Sequence, residues 1–366
     1  MNRTDVNKVE VNRVRVNMCT VNSFAARKAK GGTAMPVPIA SYRAYDKAND
    51  DEDRAVLKDL TGNGHDIQLY NFAFDNGSGY GKYPISMSTI LYDKLSYDKF
   101  HVTQDSTYFT LGLRPIIGKI TVKFTISNYV GDNMNGFTIR VLDFANEDET
   151  LSSNTYSSNG EYTFNFDASE YTDAGLVFYS RTPGYFSDLS YDIEFIPEHK
   201  GALVSDGVDD YGLCENFPIL TKEKGYTVCA IREIISDKGC FLSNRKKAYS
   251  GAFSIELYLN GKYYTTSFSG DVTQVITMNS SNLFIHQNSN YYNNQKINAG
   301  PISEGVPVLC LFNLTDSNTT YTSSLALYAL EIYDRDLTDE EIATVKARMI
   351  AEYEEKTGNK YEEETV

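Results

Sequence analysis

The sequence predicts an all-β fold of two β-sandwiches, with a short repeat arm at its beginning and one amphipathic helix at its end. Its composition combines 28 Tyr and 19 Phe with 25 Gly and no Trp, a mixture that suits strands joined by polar turns. Short runs with a large apolar residue at every second position recur along the chain, which is the pattern of antiparallel strands. Near the end this pattern gives way to apolar residues at helical spacing.

The composition and charge limit the class of protein. A chain of 366 residues with 41% hydrophobic and 23% charged residues is typical of a globular protein with two or three domains. The formal net charge of −15 argues against a nucleic-acid partner, because phosphate binding needs clustered basic residues. No stretch reaches the roughly 18 apolar residues of a membrane helix, and no apolar run follows the first basic residues. We therefore expect neither membrane insertion nor a secretion signal.

The cysteines predict free thiols. The chain has five of them, with no CxxC pair, and widely spaced cysteines in odd number favour synthesis in a reducing cytoplasm. They are Cys19, Cys214, Cys229, Cys240 and Cys310.

Residues 1–35 form a repeat arm in which Val6, Val11, Val16 and Val21 each begin a Val-Asn pentad. On a helix these valines would be spread about 140° apart, and on a strand they would alternate between faces. An arm of this kind cannot bury its apolar residues by itself, so other chain segments must cover them. The arms could do this in a homotrimer, in a short solenoid or by edge pairing with another protein. A basic leader without fixed structure is the remaining alternative, since residues 1–30 carry a formal charge of +5.

Three strand-rich stretches follow the arm. The first begins near residue 36 and has a tight-turn signal at 59–64, ahead of an alternating run at 67–74. Residues 84–200 then predict a separate sandwich, and strands resume over 201–335. The alternating runs of this separate sandwich are residues 118–126, 136–144, 160–168, 174–180 and 189–196.

The end of the chain predicts one helix. Thr338 followed by Glu341 is a capping box, and Gly358 is a stop signal. The apolar residues at helical spacing between them are Ile342, Val345, Met349 and Tyr353. We expect this helix to pack on the sandwich that precedes it, with residues 359–366 forming an acidic tail.

Three segments carry a resemblance to a known fold family. They are DLTGNGHD at 59–66, VSDGVDDY at 204–211 and IYDRDLTDEEI at 332–342. Together they resemble the concanavalin A-like, laminin-G-type jelly roll, which implies a jelly roll made of residues 36–83 and 201–358. The block at 84–200 would then be a second sandwich inserted in a surface loop, where a longer connection costs little entropy.

A jelly roll with a second sandwich inserted in it is similar to proteins of tailed phages of gut bacteria, including the crAss-like phages. These phages carry such sandwiches on their fibres. This resemblance implies a virion protein that is made in the host cytoplasm. The arm would mediate trimer formation or attach the chain to other virion proteins. Because the jelly roll hosts many functions, the resemblance does not identify a ligand.

The residues that catalysis would need are missing from the sequence. Jelly-roll glycosidases place two carboxylates on one strand, but no Glu-x-Asp-x-Glu segment occurs. The four histidines have no metal-ligand spacing, and neither a Gly-x-Ser-x-Gly elbow nor a phosphate loop is present. We therefore predict a non-enzymatic protein. The alternatives are a bacterial polysaccharide-binding or polysaccharide-active adhesion protein and a purely structural capsid decoration protein.

Binding is predicted by Tyr-rich and Asn-rich loops, which offer flat apolar faces and adaptable hydrogen bonds to a host-surface glycan. The alternative is that these are solvated hairpin loops. The candidate residues are Tyr80, Tyr83, Asn288, Asn290, Tyr291, Tyr292 and Asn293.

No cofactor is required by these features, although the jelly-roll resemblance implies a possible Ca²⁺ at the sandwich rim. Asp206, Asp209 and Asp210 could supply oxygen ligands. Asp206-Gly207 also suits a tight turn, and the sequence favours the turn.

Overall fold

A computed structural model confirms the prediction of an all-β sandwich fold with a C-terminal helix. It describes residues 35–184, 188–220, 225–236, 239–244, 307–313 and 322–361, together with strand backbones between residues 254 and 296. The predicted arm, including Val6, Val11, Val16 and Val21, lies outside the described residues.

The strands fall into three groups along the chain. The first group is β1 (Ala40–Arg43), β2 (Val56–Leu57), β3 (Ile67–Tyr70) and β4 (Gly79–Tyr80). After a 3₁₀ turn at Met87–Thr89, the second group is β5 (Asp93–Lys94), β6 (Lys99–Thr103), β7 (Phe109–Leu113), β8 (Lys119–Val130), β9 (Phe137–Asp143), β10 (Glu149–Tyr156), β11 (Gly160–Asp167), β12 (Ala174–Tyr179) and β13 (Ser190–Ile196). The third group is β14 (Leu203–Val204), β15 (Tyr211–Cys214), β16 (Thr227–Ile234), β17 (Gly239–Ser243), β18 (Ser254–Tyr258), β19 (Lys262–Ser267), β20 (Val272–Thr277), β21 (Leu283–Gln287), β22 (Tyr291–Tyr292), β23 (Gln295–Lys296), β24 (Leu309–Leu311) and β25 (Leu325–Tyr333), before helix α1 (Asp339–Thr357).

The first and third groups build the first sandwich from two antiparallel sheets. In the β25 sheet the strand order is β23-β22-β21-β16-β25-β14-β4, and β1 also pairs with β25. In the β24 sheet the order is β2-β3-β15-β24-β17-β18-β19-β20. Buried side chains from both sheets form one core, including Tyr42, Leu69, Phe241, Leu311 and Leu330.

Strand β25 is buried along its whole length. One face meets the core between the sheets, through Leu325, Leu327 and Leu330. The other face meets α1, through Tyr328 and Tyr333. Because both faces are covered, nearly every residue of this strand is apolar rather than alternating with polar residues.

The second group of strands builds the second sandwich. Its β8 sheet has the order β11-β8-β13-β6-β5, and its β9 sheet has the order β10-β9-β12-β7. Large side chains of β8 point inward at every second position, and Phe124 packs edge-on against Phe137 with ring centroids 5.3 Å apart. This core forms a cluster of its own, distinct from the core of the first sandwich.

The chain enters and leaves the second sandwich at one place, which we call the neck (residues 81–82 and 198–202). The Gly81 amide donates to the Ala202 carbonyl at 2.8 Å, and the Glu198 amide donates to the Lys82 carbonyl at 2.9 Å. A third backbone bond runs from the His199 amide to the Gly81 carbonyl, at 2.9 Å. The predicted boundaries at 84 and 200 stay predictions, and the neck lies beside both.

Helix α1 begins and ends as the sequence predicts. The Thr338 hydroxyl accepts from the Glu341 amide at 3.2 Å, and the Glu341 carboxylate accepts from the Thr338 amide at 2.9 Å. Gly358 adopts the left-handed conformation (φ 77°) that ends the helix. The predicted apolar residues are buried against the outer side of the β25 sheet: Ile342, Val345, Met349 and Tyr353. Among the described residues, no helix is long and apolar enough to cross a membrane.

An ion cluster fastens α1 to the β25 sheet. Fully buried Glu331 lies 2.6 Å from Arg43 Nη2 and accepts from Arg348 Nη1 at 2.8 Å. It also accepts from the Tyr333 hydroxyl at 2.7 Å. Burial alone would raise the pKa of Glu331, but the attraction of Arg43 and the contacts with Arg348 outweigh it and hold this pKa at about 2. Breaking such a buried pair leaves a charge without its partner.

The segment at 59–66 is organised by the buried Asp59 carboxylate. It accepts from the Ser41 amide at 3.1 Å, the Thr61 amide at 3.0 Å and the His65 amide at 3.2 Å. The Thr61 hydroxyl donates to it as well, at 2.8 Å. The motif therefore ties a turn to β1 through the hydrogen bonds that its aspartate accepts.

The prediction of free thiols is confirmed for the cysteines that the structure describes. Cys214, Cys229, Cys240 and Cys310 are all buried, and none of these four forms a disulfide. Burial raises the pKa of the Cys229 thiol, so its thiolate is disfavoured. Cys19 lies outside the described residues.

Candidate functional site

Two of the tyrosines predicted to bind ligand are core residues. Tyr80 is 3% exposed and Tyr83 is 5% exposed. The Tyr80 hydroxyl donates to the Arg54 carbonyl at 3.1 Å, and the Tyr83 hydroxyl donates to Asp98 Oδ2 at 2.8 Å. This burial corrects the prediction, because neither ring offers a face to a ligand.

The other predicted binding segment is described only in part. Tyr291 and Tyr292 form strand β22, in which Tyr292 is paired with Gln295. Asn288, Asn290 and Asn293 lie outside the described residues. Ligand binding by this segment therefore stays a prediction.

The three predicted metal ligands are brought together in an acidic loop (residues 206–210). Asp206, Asp209 and Asp210 each offer a carboxylate oxygen, and these oxygens lie within 4.8 Å of one another. The loop is also the tight turn that the sequence favours. The Val208 amide donates to Asp206 Oδ1 at 2.7 Å, and Gly207 has the positive φ (79°) that glycine adopts readily. The turn and a cation site are thus compatible with each other.

The acidic loop contains a fully buried carboxylate, that of Asp210. Its Oδ2 atom accepts from the Asp206 amide at 2.8 Å, while its Oδ1 atom has no hydrogen-bond partner among the described residues. Burial, reinforced by the nearby charge of Asp206, raises the pKa of Asp210 to about 7. A buried carboxylate of this kind is stabilised by a proton or by a cation. Because all the donors are oxygens, the set fits Ca²⁺.

A stacked pair of tyrosines lies beside the acidic loop. Tyr70 and Tyr211 are cross-strand neighbours on β3 and β15, with ring centroids 4.9 Å apart and planes 14° apart. Their side chains lie on the outer face of the β24 sheet, and Tyr70 is 38% exposed. Asn71 Nδ2 donates to the Asp209 carbonyl at 2.9 Å, which connects the strand end to the acidic loop.

We call the tyrosine pair and the acidic loop together the rim site. Tyr211 belongs to the sequence motif at 204–211, but Tyr70 was not predicted as a binding residue. A signal was present, because Tyr70 follows Ile67 and Leu69 at the alternate, outward position of the same strand.

Comparisons with known proteins do not identify a family. No family model matches the chain, and neither does any curated protein. Among solved structures, the full extracellular region of zebrafish Gpr126/Adgrg6 aligns with 67% of this chain at 10% identity and a TM-score of 0.24. The alignment spans 37% of that protein. The crystal structure of a protein from Parabacteroides distasonis aligns with 81% of this chain and 97% of its own, at 9% identity and a TM-score of 0.15. At such scores neither match carries an argument about function.

Calcium is expected to stabilise the protein through the acidic loop. Because a ligand that binds only the folded state adds RT ln(1 + [L]/Kd) to its stability, millimolar Ca²⁺ should raise the melting temperature. The expected rise is about 2–4 °C for each kcal/mol.

Asp206→Asn keeps an oxygen for the Val208 amide but removes a ligand charge, and should abolish the rise. Differential scanning calorimetry measures both results. Asp105→Asn, at an exposed turn of the second sandwich, is the control and should keep the response. If Ca²⁺ did not change the melting temperature, the tight turn would be the only role supported for this loop.

Proposed function

We propose that this chain is a non-enzymatic phage virion protein, a fibre or decoration protein whose β-sandwich head binds host-surface glycan. The observation that carries the proposal is the rim site, in which an exposed tyrosine pair adjoins a carboxylate cluster. Stacked rings on neighbouring strands are held in place by each other and by the sheet. Such a rigid apolar surface beside oxygen acceptors is suited to the apolar face and the hydroxyls of a sugar ring.

The arrangement of the carboxylates supports binding rather than hydrolysis. Glycosidases need two carboxyl groups about 5–9.5 Å apart on opposite sides of the scissile bond. The acidic-loop oxygens lie within 4.8 Å of one another on one turn, and Asp210 is fully buried. These carboxylates therefore have a geometry suited to holding a cation, through which sugar hydroxyls could be bound.

The virion assignment is supported by the sequence pattern of residues 1–35 and by the jelly-roll resemblance of residues 36–83 and 201–358. In this proposal the basic arm joins copies into a homotrimer or attaches them to other virion proteins. Several heads on one assembly would strengthen attachment to a repetitive glycan without any new contact.

The proposal is tested by a glycan array together with adsorption of the full chain to bacterial cells. We expect binding that Tyr70→Ala weakens about two- to tenfold, since a stacked aromatic ring is worth about 0.5–1.5 kcal/mol beyond its burial. Tyr171→Ala, at another partly exposed tyrosine, should leave binding unchanged. Removal of residues 1–35 should lower the apparent affinity through lost avidity.

Three outcomes would favour a different function. Hydrolysis of any glycan by the full chain would indicate a polysaccharide-active adhesion protein. Assembly into virions without binding of any glycan would favour a purely structural decoration protein. Binding to no glycan and no cell would overturn the proposal.

A further inference from the structure

The two outer faces of the second sandwich differ in character. On the β8 sheet the outward residues are polar, including Lys119, Thr121, Lys123, Thr163 and Asn165. On the β9 sheet, by contrast, Phe109 is 41% exposed and Leu111 is 37% exposed. One face is thus an ordinary solvated surface, and the other leaves apolar area in water at the cost of stability.

Strand register places the outward residues of the β9 sheet in two neighbouring rows. Each row crosses β10, β9, β12 and β7 in that order. One row is Ser153, Arg140, Val177 and Leu111; the other is Thr155, Thr138, Tyr179 and Phe109. At strand spacings of about 4.8 Å the rows are roughly 14 Å long. Within the rows Val177 and Thr138 are buried, at 0% and 1% exposure, so a ligand lying across this surface would contact the residues on either side of them.

Aromatic rings and guanidinium groups pack against one another on this surface. Tyr179 makes edge-to-face contacts with Tyr108 and Phe109, at centroid distances of 5.2 and 5.6 Å. The Arg140 guanidinium lies 4.9 Å from the Tyr179 ring centroid, and that of Arg181 lies 5.0 Å from the Tyr108 ring centroid. We call these five residues and Leu111 the aromatic–arginine face. Its side chains lose little further freedom when a ligand binds, because they are already packed.

The charge of this face is opposite to that of the protein. The whole chain has a formal charge of −15, yet neither row contains a carboxylate. Arg140 donates to Ser153 Oγ at 3.3 Å, and no carboxylate of the described residues lies within ion-pair distance of it. A guanidinium of this kind presents a planar fork that matches a carboxylate or a sulfate.

We propose that the aromatic–arginine face is a second ligand-binding surface, which takes an acidic polysaccharide carrying carboxylate or sulfate groups. The rings would stack on the apolar faces of successive sugars, Arg140 would pair with their anionic groups, and the hydroxyls of Ser153 and Thr155 would bond sugar oxygens. The inference rests on the proposed glycan-binding function and names the ligand class for a surface separate from the rim site.

Affinity electrophoresis of the full chain in gels containing alginate, dextran sulfate or neutral dextran tests this inference. Alginate carries carboxylates and dextran sulfate carries sulfates, so the polymer that retards the protein more identifies the preferred anionic group. We expect retardation by at least one of them and none by dextran. Arg140→Gln should weaken binding about tenfold, the range for one hydrogen-bonded charged group, and Arg140→Lys should weaken it less. Phe109→Ala should weaken it severalfold.

The matched controls are Lys123→Gln, which removes one positive charge from the opposite face, and Ile117→Ala, which removes an exposed apolar side chain elsewhere on the second sandwich. Both should bind as the unaltered chain does, and equal melting temperatures would confirm that the variants are folded. Equal losses for Arg140→Gln and Lys123→Gln would overturn the inference, as would equal retardation by dextran or none by any polymer. Because Tyr70→Ala should still bind the acidic polymer that retards the unaltered chain, failure of the rim site is distinguishable from failure of this surface.

Discussion

Replacement of Glu331 by Gln is expected to lower the free energy of unfolding of the first sandwich by about 3–5 kcal/mol, the usual cost of breaking a buried ion pair. Arg43 and Arg348 both contact this carboxylate. Once it is neutral, two guanidinium groups at the junction of β1, β25 and α1 lose their shared counterion. Urea unfolding followed by far-UV circular dichroism measures the loss, since α1 contributes to that signal. Glu352→Gln is the control, because Glu352 is partly exposed and pairs with Arg43 alone. A cost of no more than about 1 kcal/mol is expected there.

The same carboxylate gives the protein a predictable acid response. The pKa of Glu331 is held at about 2 in the folded state, below the value of about 4.3 in an unfolded chain. The unfolded state therefore binds more protons between these two values, and stability must fall as the pH falls through this window. Glu331→Gln removes the group, so its stability should depend less steeply on pH between about 4 and 2. Parallel pH curves for the two proteins would contradict the ion-pair account.

Replacement of Asp59 by Ala is expected to cost about 3–4 kcal/mol, because several buried or partly buried donors lose one acceptor at once and each unsatisfied buried group costs about 1–3 kcal/mol. The donors include the amides of Ser41, Thr61 and His65. The loss should loosen the connection between β1 and the turn at 59–66. Hydrogen exchange at the Ser41 and His65 amides measures this loosening, and urea unfolding measures the total cost.

Asp66→Ala is the matched control for Asp59→Ala. Asp66 accepts from a single backbone amide, that of Asp59, and makes a solvent-exposed pair with Lys58. Its removal should cost about 1 kcal/mol. If the two variants were equally stable, the motif would be a surface turn rather than a structural tie.

Local features of the fold could be predicted from the sequence, whereas distant pairings could not. Alternation alone located β8 and β9, because one face of each strand is buried and the other is polar or partly exposed. The capping box and Gly358 located α1 to within a residue or two. The pairing of Ala40 with Ile332 joins opposite ends of the described chain, and no local pattern encodes such a partner.

The candidate sites were less predictable, because loop composition does not report exposure. Tyr80 lies in a Gly-rich segment, but these glycines mark close packing. A Cβ on Gly79 would lie 2.4 Å from the Asn49 side chain, and one on Gly81 would lie 2.8 Å from Pro197. Conversely, Tyr70 and Arg140 lie in ordinary strands, and only the register shows that each has a ring stacked beside it. The acidic loop was found because its residues are adjacent in sequence.

The neck has an evolutionary consequence. Gly81 and Lys82 already bond to Glu198, His199 and Ala202 as neighbouring strands would, so the chain enters and leaves the second sandwich side by side. Side-chain contacts also join the two sandwiches, including those of Lys94 with Asp50 and of Tyr97 with Asp75. A gene segment for this sandwich can be exchanged for another without changing any strand pair of the first sandwich or the packing of α1 on the β25 sheet. The aromatic–arginine face would travel with such a cassette, while the rim site would stay behind. In the proposed function, the ligand preference of one surface would therefore change in a single recombination event, without a path of successive point substitutions.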